Sequence, residues 1–334
     1  MLNKVLTISV AAYNVEKYLI KTLDSLIVPE IMPKIEVIIV NDGSNDKTGQ
    51  IADSYARRFP DTFIHINKQN GGWGSTINVS SKIARGKYYK LLDGDDWFNK
   101  EALTSFIIQL EKTNTDLVFT QYTEVYEVEN RQKIVEQNYS YNEVFGVGAI
   151  NTYSMHALTV RTEIVRNKEF CIQENCFYTD VEYCIKCLLY SHSAVSFPIN
   201  IYQYRLGREE QSVSIQSLVQ KVDEHDKVVR IALETVYNTK KLSNMKENIN
   251  ALAARHFNIL LCLRSNENNW KMFQSFRILL KECYPEVKFQ LPKYQRILLY
   301  CPKWVYNLTT GYKRIRNGAA YLYRVRRTKY LKQQ

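Results

Sequence analysis

What this chain lacks narrows it first. In its 334 residues no apolar run approaches the ~18–20 residues that cross a bilayer, so no membrane-spanning helix is expected. Met1-Leu2-Asn3-Lys4-Val5 passes straight into a strand-like run, without the apolar region and cleavage site of a signal peptide. The seven cysteines are scattered, and an odd number argues against a closed disulfide framework. Cys184 and Cys187 form a C-x-x-C within an apolar helical run, but no second Cys or His pair completes a zinc site. Buried thiols in a reducing cytoplasm are the expectation. No G-x-G-x-x-G follows the first strand, which removes the dinucleotide fingerprint of an NAD-binding oxidoreductase. Internal repeats and low-complexity stretches are missing too.

Acidic residues are absent from Lys288 to Gln334, where twelve Lys and Arg lie. The rest of the chain is near neutral, with 33 basic residues against 34 acidic, so the net charge of +11 describes a tail and not a nucleic-acid-binding body. In the tail Trp304, Leu308, Tyr312, Ile315, Ala319, Leu322 and Val325 recur every three or four positions. Lys303, Lys313, Arg314, Arg316, Arg324, Arg326 and Arg327 lie around that stripe. This is the pattern of a basic amphipathic helix at an anionic membrane face, interrupted by Gly311 and Gly318. A helix packed on the body with a solvated basic face is the competing reading.

Over the first 120 residues strands and helices alternate, as in βαβ units with a mainly parallel sheet. Strands are expected at Leu6–Ala12, Ile35–Asn41, Phe63–Asn67, Tyr88–Leu92 and Asp116–Thr120, and helices near 16–27, 46–59, 75–84 and 101–112. From Gln121 to Val147 alternating Tyr, Val and Glu suggest an exposed strand or hairpin. A strand at His156–Arg161, a helix from Asp180 to Tyr190 and strands near 194–197 and 201–204 follow. After Ser214 the pattern is helical. The expected organisation is a 1–214 domain with halves 1–120 and 121–214, a helical region 215–287 and a basic tail 288–334.

Two apolar runs end abruptly in carboxylates: Val37-Ile38-Ile39-Val40-Asn41-Asp42-Gly43-Ser44, and Lys90-Leu91-Leu92-Asp93-Gly94-Asp95-Asp96-Trp97. Buried strands of an open α/β sheet deliver such groups to the edge where ligands bind. Converging carboxylates repel unless a cation joins them, and oxygen-only ligands suit Mg2+ or Mn2+. Such a metal usually serves a phosphate-bearing substrate. Asp96 also fits a helix N-cap ahead of Glu101.

These stretches, with others in order, resemble the family 2 inverting glycosyltransferases of the bacterial surface-polysaccharide type, which have a GT-A nucleotide-sugar fold. Ser9-Val10-Ala11-Ala12-Tyr13-Asn14-Val15-Glu16 looks like that family's first strand and loop. Asn41-Asp42-Gly43-Ser44-Asn45-Asp46 matches its second strand end, and Asn70-Gly71-Gly72 with Asn78 its N-G-G…N loop. Ala84-Arg85-Gly86-Lys87-Tyr88, then Asp93-Gly94-Asp95-Asp96, matches the stretch ending in its DxD motif. The resemblance covers residues 4–120 strongly and continues more weakly to Ser214.

It implies a UDP-sugar donor whose uracil is held by Asp42, with Ala12, Tyr13, Asn14, Glu16, Gly43, Asn70, Gly72, Asn78, Asp93 and Gly94 around the nucleotide. Asp95 and Asp93 would hold Mn2+ or Mg2+. Asp180 would be the general base, in the family's Glu-Asp pair with Thr179 where Glu is usual; Glu182 is a weaker substitute. Arg205 and Arg208, near a loop at Gln211-Ser212-Val213-Ser214, are candidates for the diphosphate. Ile77 stands where many members have Arg, a contact that Lys68 or Arg208 would replace. Trp73 is either core or a sugar platform. The implied reaction is sugar transfer to a hydroxyl of a glycan or lipid-linked precursor, by a cytoplasmic protein peripheral to the membrane. A non-catalytic nucleotide-sugar-binding scaffold of the same fold is the alternative.

Overall fold

The computed structural model describes residues 4–151, 154–207 and 215–308. Arg208, the 211–214 loop and the tail's stripe and cations beyond residue 308 lie outside them. The described residues form two compact units, one of residues 4–207 with Thr235–Met245, the other of residues 215–234 with 246–308.

In the first unit, β1 (Leu6–Ala12), β2 (Ile35–Asp42), β3 (Phe63–Lys68) and β4 (Tyr88–Asp93) lie in the order β3-β2-β1-β4, all parallel. The helices α1 (Leu19–Asp24), α2 (Thr48–Arg58) and α3 (Trp73–Ile83) connect them. Every residue of β2 is buried, which explains why this strand reads as a continuous apolar run. Its one internal charge, Glu36, is satisfied: the Thr7 hydroxyl and the Arg85 amide each donate to it at 2.9 Å, and the Arg85 guanidinium pairs with it.

The chain continues through β5 (Trp97–Phe98), α4 (Lys100–Lys112), β6 (Leu117–Tyr126), β7 (Arg131–Val135), β8 (Val144–Gly146), β9 (Leu158–Arg161), α5 (Thr162–Val165), α6 (Thr179–Tyr190) and β10 (Ser193–Leu206). The sheet extends beyond β4 as β9-β6-β10-β5. β9 is antiparallel to both its neighbours, and β10 runs parallel along the whole of β6. Most paired residues thus lie in parallel ladders, the mainly parallel α/β arrangement expected.

Three local readings change. The helix expected over 16–27 narrows to α1, because Val15 and Glu16 turn their amides to Thr48 Oγ1 (2.9 Å) and Asp46 Oδ2 (3.1 Å). The two strands expected at 194–197 and 201–204 are one, β10, with register shifts between Phe197 and Tyr202 where Pro198 offers no N–H. Asn99 caps α4, its side chain accepting from Ala102 N at 2.8 Å, so Asp96 is not the cap.

The second unit contains α7 (Ile215–Gln220), α9 (Lys246–Leu260), α10 (Glu267–Glu282), α11 (Lys293–Leu298) and most of α8 (Val222–Asn238). Phe257, Phe273, Trp270 and Tyr306 form an aromatic core, with Phe273 and Tyr306 centroids 4.6 Å apart. The described start of the tail therefore buries Tyr306, while Trp304 and Leu308 stay about two-thirds exposed.

A buried polar chain crosses these helices. His225 Nδ1 lies 2.8 Å from His256 Nδ1, His256 Nε2 lies 2.9 Å from Asp226 Oδ1, and Arg230 Nε donates to Asp226 at 2.6 Å. Burial, reinforced by His256 and Arg255, lowers His225 to about 3, and burial also lowers His256 against the pull of Asp226. Below the ordinary imidazole pKa of about 6.5 the unfolded chain binds protons that the folded one refuses. Stability of this unit should therefore fall as pH drops from about 6.5, by up to about 1.4 kcal/mol per pH unit for each imidazole. Denaturant unfolding across that range should show the slope, and His225→Asn should flatten it. An unchanged slope would place the sensitivity elsewhere.

Candidate active site

Parallel pairing brings the carboxyl ends of β1, β2 and β4 to one edge, with Ala12 opposite Asn41 and Ala11 opposite Asp93. The loops there are fastened to one another. Asn14, at φ 51°, accepts from the Asn45 amide at 2.9 Å and gives its own amide to Ser44 Oγ at 3.0 Å. Glu16 accepts from the Lys47 amide at 2.9 Å. Ala12 is buried, whereas Tyr13 is half exposed above the edge.

Asp42, itself buried, organises the next loop. Its carboxylate accepts the amides of Gly71 (2.9 Å) and Gly72 (2.8 Å) and the Lys68 ammonium (2.7 Å). Asn70 Nδ2 donates to the Asp42 carbonyl at 2.9 Å. Gly43 turns with φ 75°, and a Cβ there would sit 2.7 Å from the Asn70 nitrogen. Lys68, considered as a substitute for the missing Arg, is thus paired with Asp42 and Ser75 Oγ (2.8 Å). Ile77 is fully buried, so no phosphate contact comes from that position.

The acidic loop after β4 is held from several sides. Gly94 N donates to Ala11 O at 2.9 Å, and Thr22 Oγ1 donates to Gly94 O (2.9 Å) and Asp96 O (2.6 Å). Asp96 is buried and accepts from Tyr202 OH and Arg205 N, each at 2.8 Å. Arg205 is buried as well; its Nε donates to Asp95 O at 2.8 Å, its guanidinium pairs with Glu127, and it lies over the rings of Tyr18 and Trp97. In this structure it clamps the acidic loop. Trp73 Nε1 donates to Asp93 Oδ1 at 2.8 Å while its ring packs edge-on against Tyr183. Trp73 therefore touches the acidic group directly.

Asp93, Asp96 and His156 bring their ligand atoms within 4.8 Å of one another. Asp95 is half-buried on the same loop but outside this trio. Burial first, and the neighbouring Asp93 second, raise the Asp96 carboxyl well above its usual range. His156 stacks on Tyr204 at 4.0 Å, and burial, with Lys90, lowers it to about 3, leaving a neutral imidazole. Two carboxylates and a neutral imidazole at this spacing fit a divalent cation.

The ring of Trp73 meets α6 at Tyr183, edge-on with centroids 6.2 Å apart. Tyr178 enters that helix at φ 65°, a left-handed conformation costly for a bulky side chain. Asp180 is exposed in the first turn of α6, and desolvation raises its carboxyl against the pull of the Val181 amide. Thr179 is buried with its hydroxyl unpartnered, a place where the family's Glu would be a buried charge. Glu182 is buried, bonded to Lys186 (2.9 Å) and the Gln173 amide (3.1 Å), which disfavours it as a base. Burial first, and the nearby carboxylates after it, raise the Tyr204 phenol.

Asn78 does not face the strand edge. Its Nδ2 donates to Ile172 O (2.8 Å) and Glu174 Oε1 (3.0 Å), and its Oδ1 accepts from Ile172 N (2.9 Å). Sequence reasoning missed His156, Tyr202 and Tyr204 as parts of the site. A lone His at a strand start and tyrosines in a strand carry no spacing signal that marks them.

The family model described as Glycosyl transferase family 2 matches residues 7–182. Among curated relatives, the uncharacterized glycosyltransferase EpsJ of Bacillus subtilis is 38% identical over 113 residues, 34% of this chain and 32% of that protein. The minor teichoic acid biosynthesis protein GgaB of B. subtilis is 42% identical over 85 residues, 25% of this chain and 9% of that one. The chain thus spans about a third or less of the length of these relatives. Among solved structures, S. aureus TarS 1-349 in complex with UDP-GlcNAc superposes with a TM-score of 0.67 at 20% identity, over 92% of this chain and 89% of that one. That likeness concerns the fold.

The tightest contact in the site gives a direct test. A Cβ on Gly74 would lie 2.1 Å from Gln173 O, a backbone atom that has no room to retreat. Gly74→Ala should therefore destabilise the first unit by about 1–3 kcal/mol, read as a lower denaturant midpoint. An unchanged midpoint would mean that the two segments separate freely.

Proposed function

The chain belongs to glycosyl transferase family 2, and on that premise we propose that it moves one sugar from a UDP-sugar to a hydroxyl acceptor, with inversion at the anomeric carbon. The observation that carries this reading is the acidic loop at the carboxyl end of β4, where Asp93, Asp96 and His156 converge, in a chain that also carries Asp180 in the first turn of α6. A donor phosphate end and an acceptor base are the two things a single displacement needs, and these two features supply them.

Asp42 receives the uracil. Its Oδ1 already takes the Gly71 amide, the Lys68 ammonium and Ser75 Oγ, whereas Oδ2 takes the Gly72 amide, so an imide N–H would be received at Oδ2. Tyr13, Asn14, Glu16, Gly43, Asn70 and Gly72 frame the nucleotide, and Asp93 and Gly94 lie toward its ribose and phosphates. Asp93 and Asp95 would hold a divalent ion, as the motif implies, with Asp96 and His156 close to Asp93. When bound, Mn2+ or Mg2+ neutralises charge on the departing diphosphate. An imidazole near the donors favours Mn2+ over Mg2+, which prefers oxygen.

Asp180 takes the proton of the acceptor hydroxyl. Its raised carboxyl makes its anion a stronger base than a solvated aspartate, while its exposure lets an acceptor reach it. Trp73, tied to Asp93, presents an aromatic face on the donor side. The acceptor is a glycan or lipid-linked precursor of a surface polysaccharide, in keeping with the part of GgaB in minor teichoic acid biosynthesis.

The protein works at the inner face of the membrane. No helix among the described residues is long and apolar enough to cross one. The described part of the tail exposes Phe289, Ile297, Tyr300, Trp304 and Leu308 beside Lys288, Lys293 and Lys303, and the sequence adds eight cations after Lys303 without an acid. Exposed aromatics among lysines suit an anionic bilayer surface.

Three measurements test this. UDP release from a panel of UDP-sugars should require Mn2+ or Mg2+, stop with chelator, and fall by orders of magnitude in Asp95→Asn; full activity in chelator would reject the metal assignment. Asp180→Asn should lower turnover about 10²–10⁴-fold while UDP affinity by calorimetry stays nearly intact, whereas Asp42→Ala should weaken UDP binding. The intact chain should sediment with anionic liposomes at low salt and release as salt rises; indifference to such liposomes would rule out the membrane reading.

A further inference from the structure

Asn78 carries the family's motif position, yet its side chain is engaged away from the nucleotide. Both Nδ2 hydrogens are used, on Ile172 O and Glu174 Oε1, and Oδ1 takes the Ile172 amide. The amide group thereby pairs with both backbone polar groups of one residue, as a neighbouring strand would. The side chain is almost wholly buried, so no water replaces these bonds when they are lost.

The segment it grips, from Cys171 to Tyr178, is held from both sides. On the donor side, Asn175 N donates to Gly71 O at 2.5 Å, and Gly74 packs without a side chain against Gln173 O. Gly71 and Gly72 in turn give their amides to Asp42. Toward α6, the Gln173 amide donates to Glu182, and Lys186 donates to Cys171 O and pairs with Glu182. The segment then leaves through the left-handed Tyr178 into the turn that presents Asp180. A continuous set of hydrogen bonds thus runs from Asp42 to the helix that bears Asp180.

We propose that Asn78 is a positioning residue for Asp180: it sets the place of the base through the 171–178 segment and makes no contact with the donor. The proposal rests on the reading of Asp180 as the base. It predicts a separation that direct nucleotide binding would not give. Loss of the Asn78 amide lets the segment shift, and displacement of a reacting group by about 1 Å costs up to about 10²-fold in rate. Donor binding, organised by Asp42 and the amides it holds, is left in place.

The test compares Asn78→Ala, Asp180→Asn and the parent chain with Mn2+ present. Asn78→Ala should keep UDP affinity by calorimetry within about threefold, lower kcat about 10–100-fold, and move the acidic limb of the kcat–pH profile, which reports the base. A tenfold or larger loss of UDP affinity with kcat little changed would overturn the proposal and make Asn78 a nucleotide ligand. Parental turnover in Asp180→Asn would reject the base assignment itself. A dead Asp180→Asn beside an Asn78→Ala with parental kcat and pH profile would reject this proposal alone. Should Asn78→Ala not fold, Glu174→Ala at an exposed side chain removes one of its partners; a severalfold lower kcat at unchanged UDP affinity supports the link, and unchanged kcat overturns it.

Discussion

The Asp42 carboxylate is the interaction on which the site's arrangement depends. It stands at the end of a wholly buried strand and accepts the amides of Gly71 and Gly72. Those amides open α3, so one carboxylate at a strand end sets a loop and the start of a helix together. The same loop reaches across to Asn175 and so to the chain leading into α6. A buried carboxylate with partners of this kind is costly to disturb, since each lost bond leaves a buried acceptor or amide unsatisfied. The strand edge at Asp42 and the start of α6 are therefore linked by hydrogen bonds through the 171–178 segment.

The acidic loop shows the opposite electrostatic strategy. Asp96 is buried beside Asp93, and its carboxyl is raised rather than lowered despite hydrogen bonds from Tyr202 and Arg205. The protein holds like charges close together and restrains the loop with Thr22, Arg205 and Trp73. Burial is the larger cause of that rise and Asp93 the second, so a cation bound at this loop would relieve part of the cost of crowding the acids. Neutral His156, stacked on Tyr204, borders this environment without adding a competing charge.

Much of this was legible in the chain. The strand ends at Asp42 and Asp93 could be read because buried parallel strands are continuous apolar runs, and a carboxylate closing such a run stands out. The start of α6 at Thr179 was legible from the apolar helical pattern after Asp180. Other parts were not, for physical reasons. His156 and Tyr204 come from distant segments brought together by the insertion of β9 between β4 and β6, which leaves no local spacing. Arg205 reads as a phosphate ligand because an arginine beside a ligand loop usually faces solvent, but here it turns inward on the acidic loop. Asn78 likewise keeps the family's residue while bonding Ile172 and Glu174. In the tail a regular stripe marks Trp304 and Leu308, whereas the buried residue is Tyr306, because packing against Trp270 and Phe273 selects a different phase.

The central claim is a single displacement at this edge, with Asp180 activating the acceptor. Its stereochemistry is the most direct test. With an α-linked UDP-sugar and water standing in for the acceptor, proton NMR within minutes of mixing should show the β anomer of the free sugar formed first. First appearance of the α anomer would contradict a one-step transfer with Asp180 as base.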